Sequence, residues 1–372
     1  RPPHSLTLFL LKLIYMLGLM NPKILFTTLL IVFALNSRSQ TVSDFVSIPL
    51  PDDLEVDRFG NIWVNYRVSL MSDEYRLAKI SPAGAITDVV IENHPLGQFG
   101  INDSIIWIAG DWGASAYVYK NDHNGNRLDS ILMPYPTAII LDPDGTWYVT
   151  QNAAGKLTKV YPDKTTETLA SGFPLNHNLA LARDENGMFY TCNLMNAKVI
   201  KINPNTGSII TLDTLPAVSP YSVGFLSYLK GKLYVPSFKH CIYTVDTSGN
   251  SYDVFAGSEA NPGDVNGTIE TALMNTPIAT HPSITGDTLY FTDSGNNKVK
   301  MITGLNSTSN IHGNQADKIN FKVYPNPATE KIFIELNEKN QTISKIDLIT
   351  LDGKKIDDMD FLWSSNLQVY IL

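Results

Sequence analysis

Between residues 50 and 303 one sequence unit recurs six times, and no other property of the chain narrows its fold as far. Each copy holds an apolar strand, a turn, a second strand with an aromatic anchor, a polar corner and a third strand. The anchors Trp63, Trp107, Tyr148, Tyr190, Tyr234 and Tyr290 are spaced 44, 41, 42, 44 and 56 residues apart. That period is the length of a four-stranded propeller blade and is not that of a helical repeat. A sheet of four short strands cannot cover both of its apolar faces, so such sheets stack radially and close into a ring with short, protected edges. The repeat therefore predicts an all-β, six-bladed β-propeller over residues 42–304, with the anchors packed between blades. Copies one, three and four carry Asp-x-x-Gly turns at Asp57, Asp142 and Asp184, in which Asp bonds its own backbone and Gly accepts a positive φ. Copies two and five lack that turn.

Composition agrees with many short strands and excludes several functions. Gly (24), Pro (21) and 10% aromatic residues supply turns and anchors, while only 17% of residues are charged, so the chain as a whole is not disordered. The net charge of −8 leaves no sequence-wide basic footprint for nucleic acid. Cys192 and Cys241 are too few for a disulfide framework and have no zinc-ligand spacing. An exported location permits a bond between them, but they stand two and seven residues after their anchors, which argues against it.

The first 39 residues read as upstream sequence followed by a targeting segment. Met20-Asn21-Pro22-Lys23 precedes the apolar run Ile24 to Leu35, and Asn36-Ser37-Arg38-Ser39-Gln40 follows, in the order of a signal peptide. Met20 is the expected start, and cleavage is expected after Ser39. The twelve-residue run is too short to cross a bilayer of about 30 Å, so no stable membrane span remains after cleavage. A rival reading joins residues 6–35 into an anchor, interrupted by Pro22 and Lys23.

Two stretches carry resemblances. Tyr290-Phe291-Thr292-Asp293-Ser294-Gly295-Asn296-Asn297-Lys298-Val299-Lys300-Met301-Ile302 resembles the NHL repeat, and the segment from Val254 to Pro277 is similar to an inter-blade insertion of bacterial NHL propellers. After a linker over 305–320, rich in Asn, Ser, Thr and Gly, residues 321–372 resemble the type IX (Por) secretion C-terminal sorting domain of Bacteroidetes. The residues carrying that likeness are Tyr324-Pro325-Asn326-Pro327, strands at 331–336 and 345–350, and Asp352-Gly353-Lys354. The resemblance implies a small β-sandwich, here without the family's closing strand and so incomplete, and recognition by the type IX machinery. It also implies passage through the periplasm to the cell surface or medium.

Propellers bind ligands where the entries of the inner strands converge on the central channel. The residues expected at that mouth are Asp52, Asp53, Gln98, Tyr135, His177, Asn178 and Tyr221. Asn178-Leu179-Ala180 is also similar to a segment of six-bladed calcium-dependent lactonases; that likeness gives Asn178 and Asp52 or Asp53 as calcium ligands, without acids at the entries of blades three, five and six. No HExxH or GxSxG element is present, and His94, His123, His177, His240 and His281 read as loop residues. Asp111-Trp112 and Asp293-Ser294 read as corner hydrogen-bonding pairs. The leading expectation is a non-enzymatic extracellular binding module without a cofactor, its ligand a glycan, peptide or small molecule. A metal-dependent lactonase, hydrolase or lyase and a purely structural surface protein are the alternatives, since fold does not choose among them.

Overall fold

The strand pairs within each repeat are antiparallel, and they assemble into six small sheets. The computed structural model describes residues 40–92, 96–110, 113–218, 221–249 and 251–305, with the backbone of four later strands. The expected signal peptide, His94, Asp111-Trp112 and the linker at 306–320 lie outside the described residues. Blade 1 shows the pattern: Pro51–Val56 is innermost, followed outward by Ile62–Arg67, Tyr75–Ile80 and Ile86–Glu92. The other inner strands are Leu96–Ile101, Pro136–Leu141, Ala182–Arg183, Ser227–Leu229 and Pro277–Pro282. Among the described residues the helical content is two single turns, Phe173–Leu175 and Ser294–Asn296. The six-bladed all-β ring expected from the anchor spacing is present.

The ring closes through blade 6, which is assembled from both ends of the propeller. Its fourth strand from the axis is Thr41–Ser47, edged by the two-residue strand Gly267–Thr268 and paired with Lys298–Thr303 so that Thr41 faces Thr303 and Ser47 faces Lys298. Ion pairs reinforce this pairing. Lys298 Nζ lies 2.6 Å from Asp44 and 2.5 Å from Asp264, and Lys300 Nζ lies 2.7 Å from Asp264 and 3.4 Å from Asp293. Lys300 and Asp293 have no exposed surface. Asp264 comes from the insertion that lengthens the last repeat spacing, so the extra residues serve the closure.

The anchors do what their periodicity requires. Trp63 is buried with Phe99 and Ile106 of blade 2, Trp107 stacks on Trp147 at 4.8 Å, and Tyr148 meets Phe189 at 4.9 Å. Tyr234 packs with Leu289 and Phe291 of blade 6. The turn aspartates also hold anchors: Asp57 accepts from the Phe59 and Asn61 backbone N–H groups at 2.9 Å and from Trp63 Nε1 at 3.0 Å. Asp184 accepts from Tyr190 Oη at 2.8 Å in the same way. In copy two Asn102 replaces the aspartate and takes the Ser104 and Ile105 N–H groups at 3.0 Å. Cys192 and Cys241 are free and buried, and Cys192 Sγ donates to Gly224 O at 3.0 Å.

Irregularities near the entry of the inner strands leave backbone N–H groups without a ladder partner, and polar residues on the second strand satisfy them. Register shifts fall between Pro51 and Leu54, Pro136 and Ile139, and Pro277 and Thr280. The freed N–H groups of Asp53, Ala138 and Ala279 donate to Asn65 Oδ1 (2.6 Å), Thr150 Oγ1 (3.0 Å) and Thr292 Oγ1 (2.8 Å). Two of these side chains also reach the next blade: Asn65 Nδ2 donates to Gly97 O at 2.9 Å, and Thr292 Oγ1 to Asp52 O at 2.8 Å. Between blades 5 and 6 the inner strands touch directly, with Phe225 N–H donating to Ile278 O at 2.6 Å. A Cβ on Gly224 would stand 1.9 Å from that same Ile278 carbonyl oxygen, so only glycine permits the approach.

In the tail, Phe321–Tyr324, Ile332–Leu336, Gln368–Ile371 and Phe361–Trp363 follow one another in that order in one antiparallel sheet, which belongs to a second compact unit. The strand at 332–336 was legible in sequence. Those at 361–363 and 368–371 were not, so the sheet has more strands than the hairpin expected there, and the strand expected at 345–350 falls outside the described residues.

Removing the Asp293 carboxylate orphans the Asn275 N–H that it accepts at 2.7 Å and strips a counter-charge from buried Lys300. Asp293→Ala is therefore expected to destabilise the propeller by about 3–5 kcal/mol, the cost of breaking a buried pair. Urea denaturation of the variant measures this, and a loss below about 1 kcal/mol would mean that Asp264 and Asp44 suffice to compensate Lys300.

Candidate functional site

The inner strands of all six blades line one central cavity of about 250 Å³. Of the residues expected at the mouth, Asp53 and Gln98 line it; Asp52, Tyr135, His177, Asn178 and Tyr221 do not. Tyr135 and His177 sit in connections with positive φ (54° and 61°). His177 and Tyr221 are exposed, and Tyr221 faces the Phe238 ring at 6.1 Å. Asn178 is fully buried, and its side-chain amide has no hydrogen-bond partner. The seven residues thus divide into a channel pair, Asp52 on the inner strand beside it, and four residues in the connections before the inner strands.

Asp53 is the focus of the entry end. It is 4% exposed and accepts only long hydrogen bonds, from Gln98 Nε2 at 3.3 Å and the Phe99 N–H at 3.4 Å. Burial, then the charges of Glu55 and Asp52, push its carboxyl well above the usual range, against the weaker pull of Gln98 and Phe99. Burial alone lifts Asp52 to about 7. Gln98 is 7% exposed, and its Oε1 has no partner.

Deeper in the cavity lies a group of residues that was not singled out in advance. Strand register places Glu55 opposite Trp63, Ser227 opposite Tyr234 and His281 opposite Tyr290, so all three occupy one level of the ring. His281 is a strand residue, which corrects its reading as a loop histidine. Its Nε2 lies 3.0 Å from Glu55 and its Nδ1 2.8 Å from Pro282 O. Both ring nitrogens face acceptors, an arrangement that favours the doubly protonated imidazole beside Glu55. Desolvation opposes that charge, but Glu55 and the Pro282 carbonyl outweigh it and raise the pKa. Arg183 also lines the cavity and is bound in bidentate fashion to Asp142, while Tyr228 Oη donates to Glu185. The sequence signal for this level was the position seven to nine residues before each anchor, visible only once the copies are aligned on the strand register.

The calcium reading finds no support in this geometry. Among the described residues no three His, Cys, Asp or Glu side chains converge to hold a metal ion, and Asn178 does not line the cavity with Asp53. A hard cation needs six to eight oxygens, so the residues present do not fit one.

Residues 322–371 match the secretion system C-terminal sorting domain. The sorting domain makes this a propeller secreted or displayed at the cell surface through the type IX machinery, and among the described residues no helix is long and apolar enough to cross a membrane. No curated protein sequence matches the chain. Several solved structures share its fold. A Bacteroides thetaiotaomicron protein of unknown function has a TM-score of 0.58 at 14% identity, covering 71% of this chain and 76% of its own. An auxiliary nutrient binding protein from the same bacterium scores 0.57 at 13% identity, with 71% and 76% covered. The gluconolactonase XC5397 of Xanthomonas campestris scores 0.54 at 11% identity, with 73% and 93% covered. At such identities the likeness is one of fold alone.

The Glu55–His281 pair makes stability depend on pH. An unfolded imidazole titrates near 6.5, and the folded one titrates higher. The pair's contribution is therefore complete below about pH 6.5 and is lost as pH rises through the folded value. His281→Gln and Glu55→Gln should each remove this component from urea-denaturation profiles taken between pH 5.5 and 9; unchanged profiles in both variants would assign the pH dependence elsewhere.

Proposed function

We propose that the propeller is a secreted or surface-displayed binding module that holds a small ligand in its central channel, entering past Asp53 and Gln98. The observation that carries this reading is the state of the cavity's polar groups. Glu55 is engaged by His281, Arg183 by Asp142 and Tyr228 by Glu185, whereas Gln98 Oε1 is buried and open. A buried acceptor left unpaired costs about 1–3 kcal/mol, and a ligand that satisfies it recovers that energy. No three His, Cys, Asp or Glu side chains converge among the described residues, and Asp53, whose carboxyl has no ion-pair partner, is the group an enzymatic alternative would use as acid or base. Nutrient binding and lactone hydrolysis are both recorded among proteins of this fold, so the choice rests on the side chains of this channel.

Ala182 lines the cavity on blade 4 and makes no side-chain hydrogen bond, so Ala182→Phe obstructs the channel without breaking a polar pair. A glycan, peptide and metabolite screen on the full chain should yield a ligand whose binding Ala182→Phe abolishes. Ligands that bind wild type and variant alike would place the site outside the channel, and turnover of a lactone or ester by the wild type alone would make it an enzyme.

A further inference from the structure

The direction of each hydrogen bond in the cavity defines what a ligand must bring. His281 spends both N–H groups on Pro282 O and Glu55, Arg183 turns its guanidinium onto Asp142, and Gln98 turns its NH2 toward Asp53. Thr280 Oγ1 donates to Tyr234 O at 3.0 Å, because a carbonyl only accepts. Ser227 Oγ, 2.9 Å from Thr280 Oγ1, must then be the donor in that pair and keeps only lone pairs for anything else. Of the polar atoms left for a guest at the entry end, Gln98 Oε1 and Ser227 Oγ are acceptors, and the Asp53 carboxyl becomes one when it ionises. Charge points the same way. Among the described residues no cationic side chain lies within ion-pair distance of Asp53, although Asp52 and Glu55 stand beside it on the same strand. The cavity lining also includes apolar side chains, Phe99, Ile101 and Ile139 among them.

We propose that the channel binds a small organic cation, an alkylammonium whose N–H groups are accepted by Asp53 and Gln98 Oε1 while its carbon body lies against the apolar wall. This rests on the channel-binding reading above and names its ligand class. The ammonium supplies the counter-charge that Asp53 lacks, and it fills acceptors that a carboxylate ligand would only repel. A neutral alcohol satisfies one acceptor and gives Asp53 no counter-charge that would favour its ionised form. Binding draws Asp53 into its ionised form, so complex formation releases a proton wherever the free carboxyl is protonated.

Isothermal titration of the full chain with n-butylammonium, n-butanol, butyrate and calcium chloride tests the assignment. Only n-butylammonium is expected to bind saturably, with a heat that varies with the ionisation enthalpy of the buffer as the proton is released. Asp53→Asn should weaken it at least tenfold while keeping or raising the urea midpoint at neutral pH, because a buried unpaired carboxyl is removed. Gln98→Met should also weaken binding, and it serves if the Asp53 variant does not fold. Equal or tighter binding of n-butanol, butyrate or calcium, or no binding by any probe, overturns the cation assignment. Loss of the preferred probe's binding in Ala182→Phe would still leave the channel as the site. Binding of n-butylammonium that survives both Asp53→Asn and Ala182→Phe defeats the channel reading as well.

Discussion

Everything in the propeller depends on the pairing of Thr41–Ser47 with Lys298–Thr303. Until those strands meet, blade 6 lacks its closing strand, the facing sides of blades 6 and 1 are open to water, and the channel is not enclosed. The pairing joins residues more than 250 positions apart, so the loop-closure entropy of nearly the whole domain is spent on it. Such topology delays the rewarding contacts to the end of folding. The ion pairs of Asp44 and Asp264 with Lys298 and Lys300 make sense in this light. Two strands with no local connection receive a specific register mark, and the inter-blade insertion supplies half of it.

The same closure explains why the channel is polar at all. Six inner strands crowd one axis, and their register shifts leave N–H groups that the ladder cannot use. Asn65, Thr150 and Thr292 take those groups from the second strand, and Asn65 and Thr292 also tie their blades to the next. With the backbone satisfied in this way, the side chains of the inner strands are free to vary. Blade 1 places carboxyls there, blade 2 Gln98, blade 6 His281, while blade 3 contributes aliphatic residues. Scaffold and recognition are thus divided between adjacent strands.

Much of this architecture was readable in the one-dimensional chain because it is periodic. The spacing of Trp63, Trp107, Tyr148, Tyr190, Tyr234 and Tyr290 carried the blade count, and Asp57 and Asp184 did the turn-forming work expected of them. The tail's match over 322–371 lay in a short motif and its following strands. The site was legible only in part. Asp53 and Gln98 reach the cavity, but Tyr135, His177 and Tyr221 do not, because positive-φ connections at Tyr135 and His177 divert the chain just before the inner strands begin. The pairing of Glu55 with His281, read as a loop histidine, went unnoticed because the two lie 226 positions apart in sequence and come together only through ring closure and strand register. Hydrogen-bond direction, which separates an acceptor-lined cavity from a merely polar one, has no signature in sequence.

Blade 6 has one more property, which concerns mechanics. The closing strand begins at Thr41, and its partner ends at Thr303, directly opposite. Both ends of the propeller chain therefore leave from the same end of one ladder. A pull applied to the two ends loads the Thr41–Thr303 pair first, then Val42–Ile302, then Ser43–Met301, one bond at a time instead of all together. The ring that seals itself last is thus built to unzip first, and traction on its chain ends would open this protein at a seam while five blades stay folded.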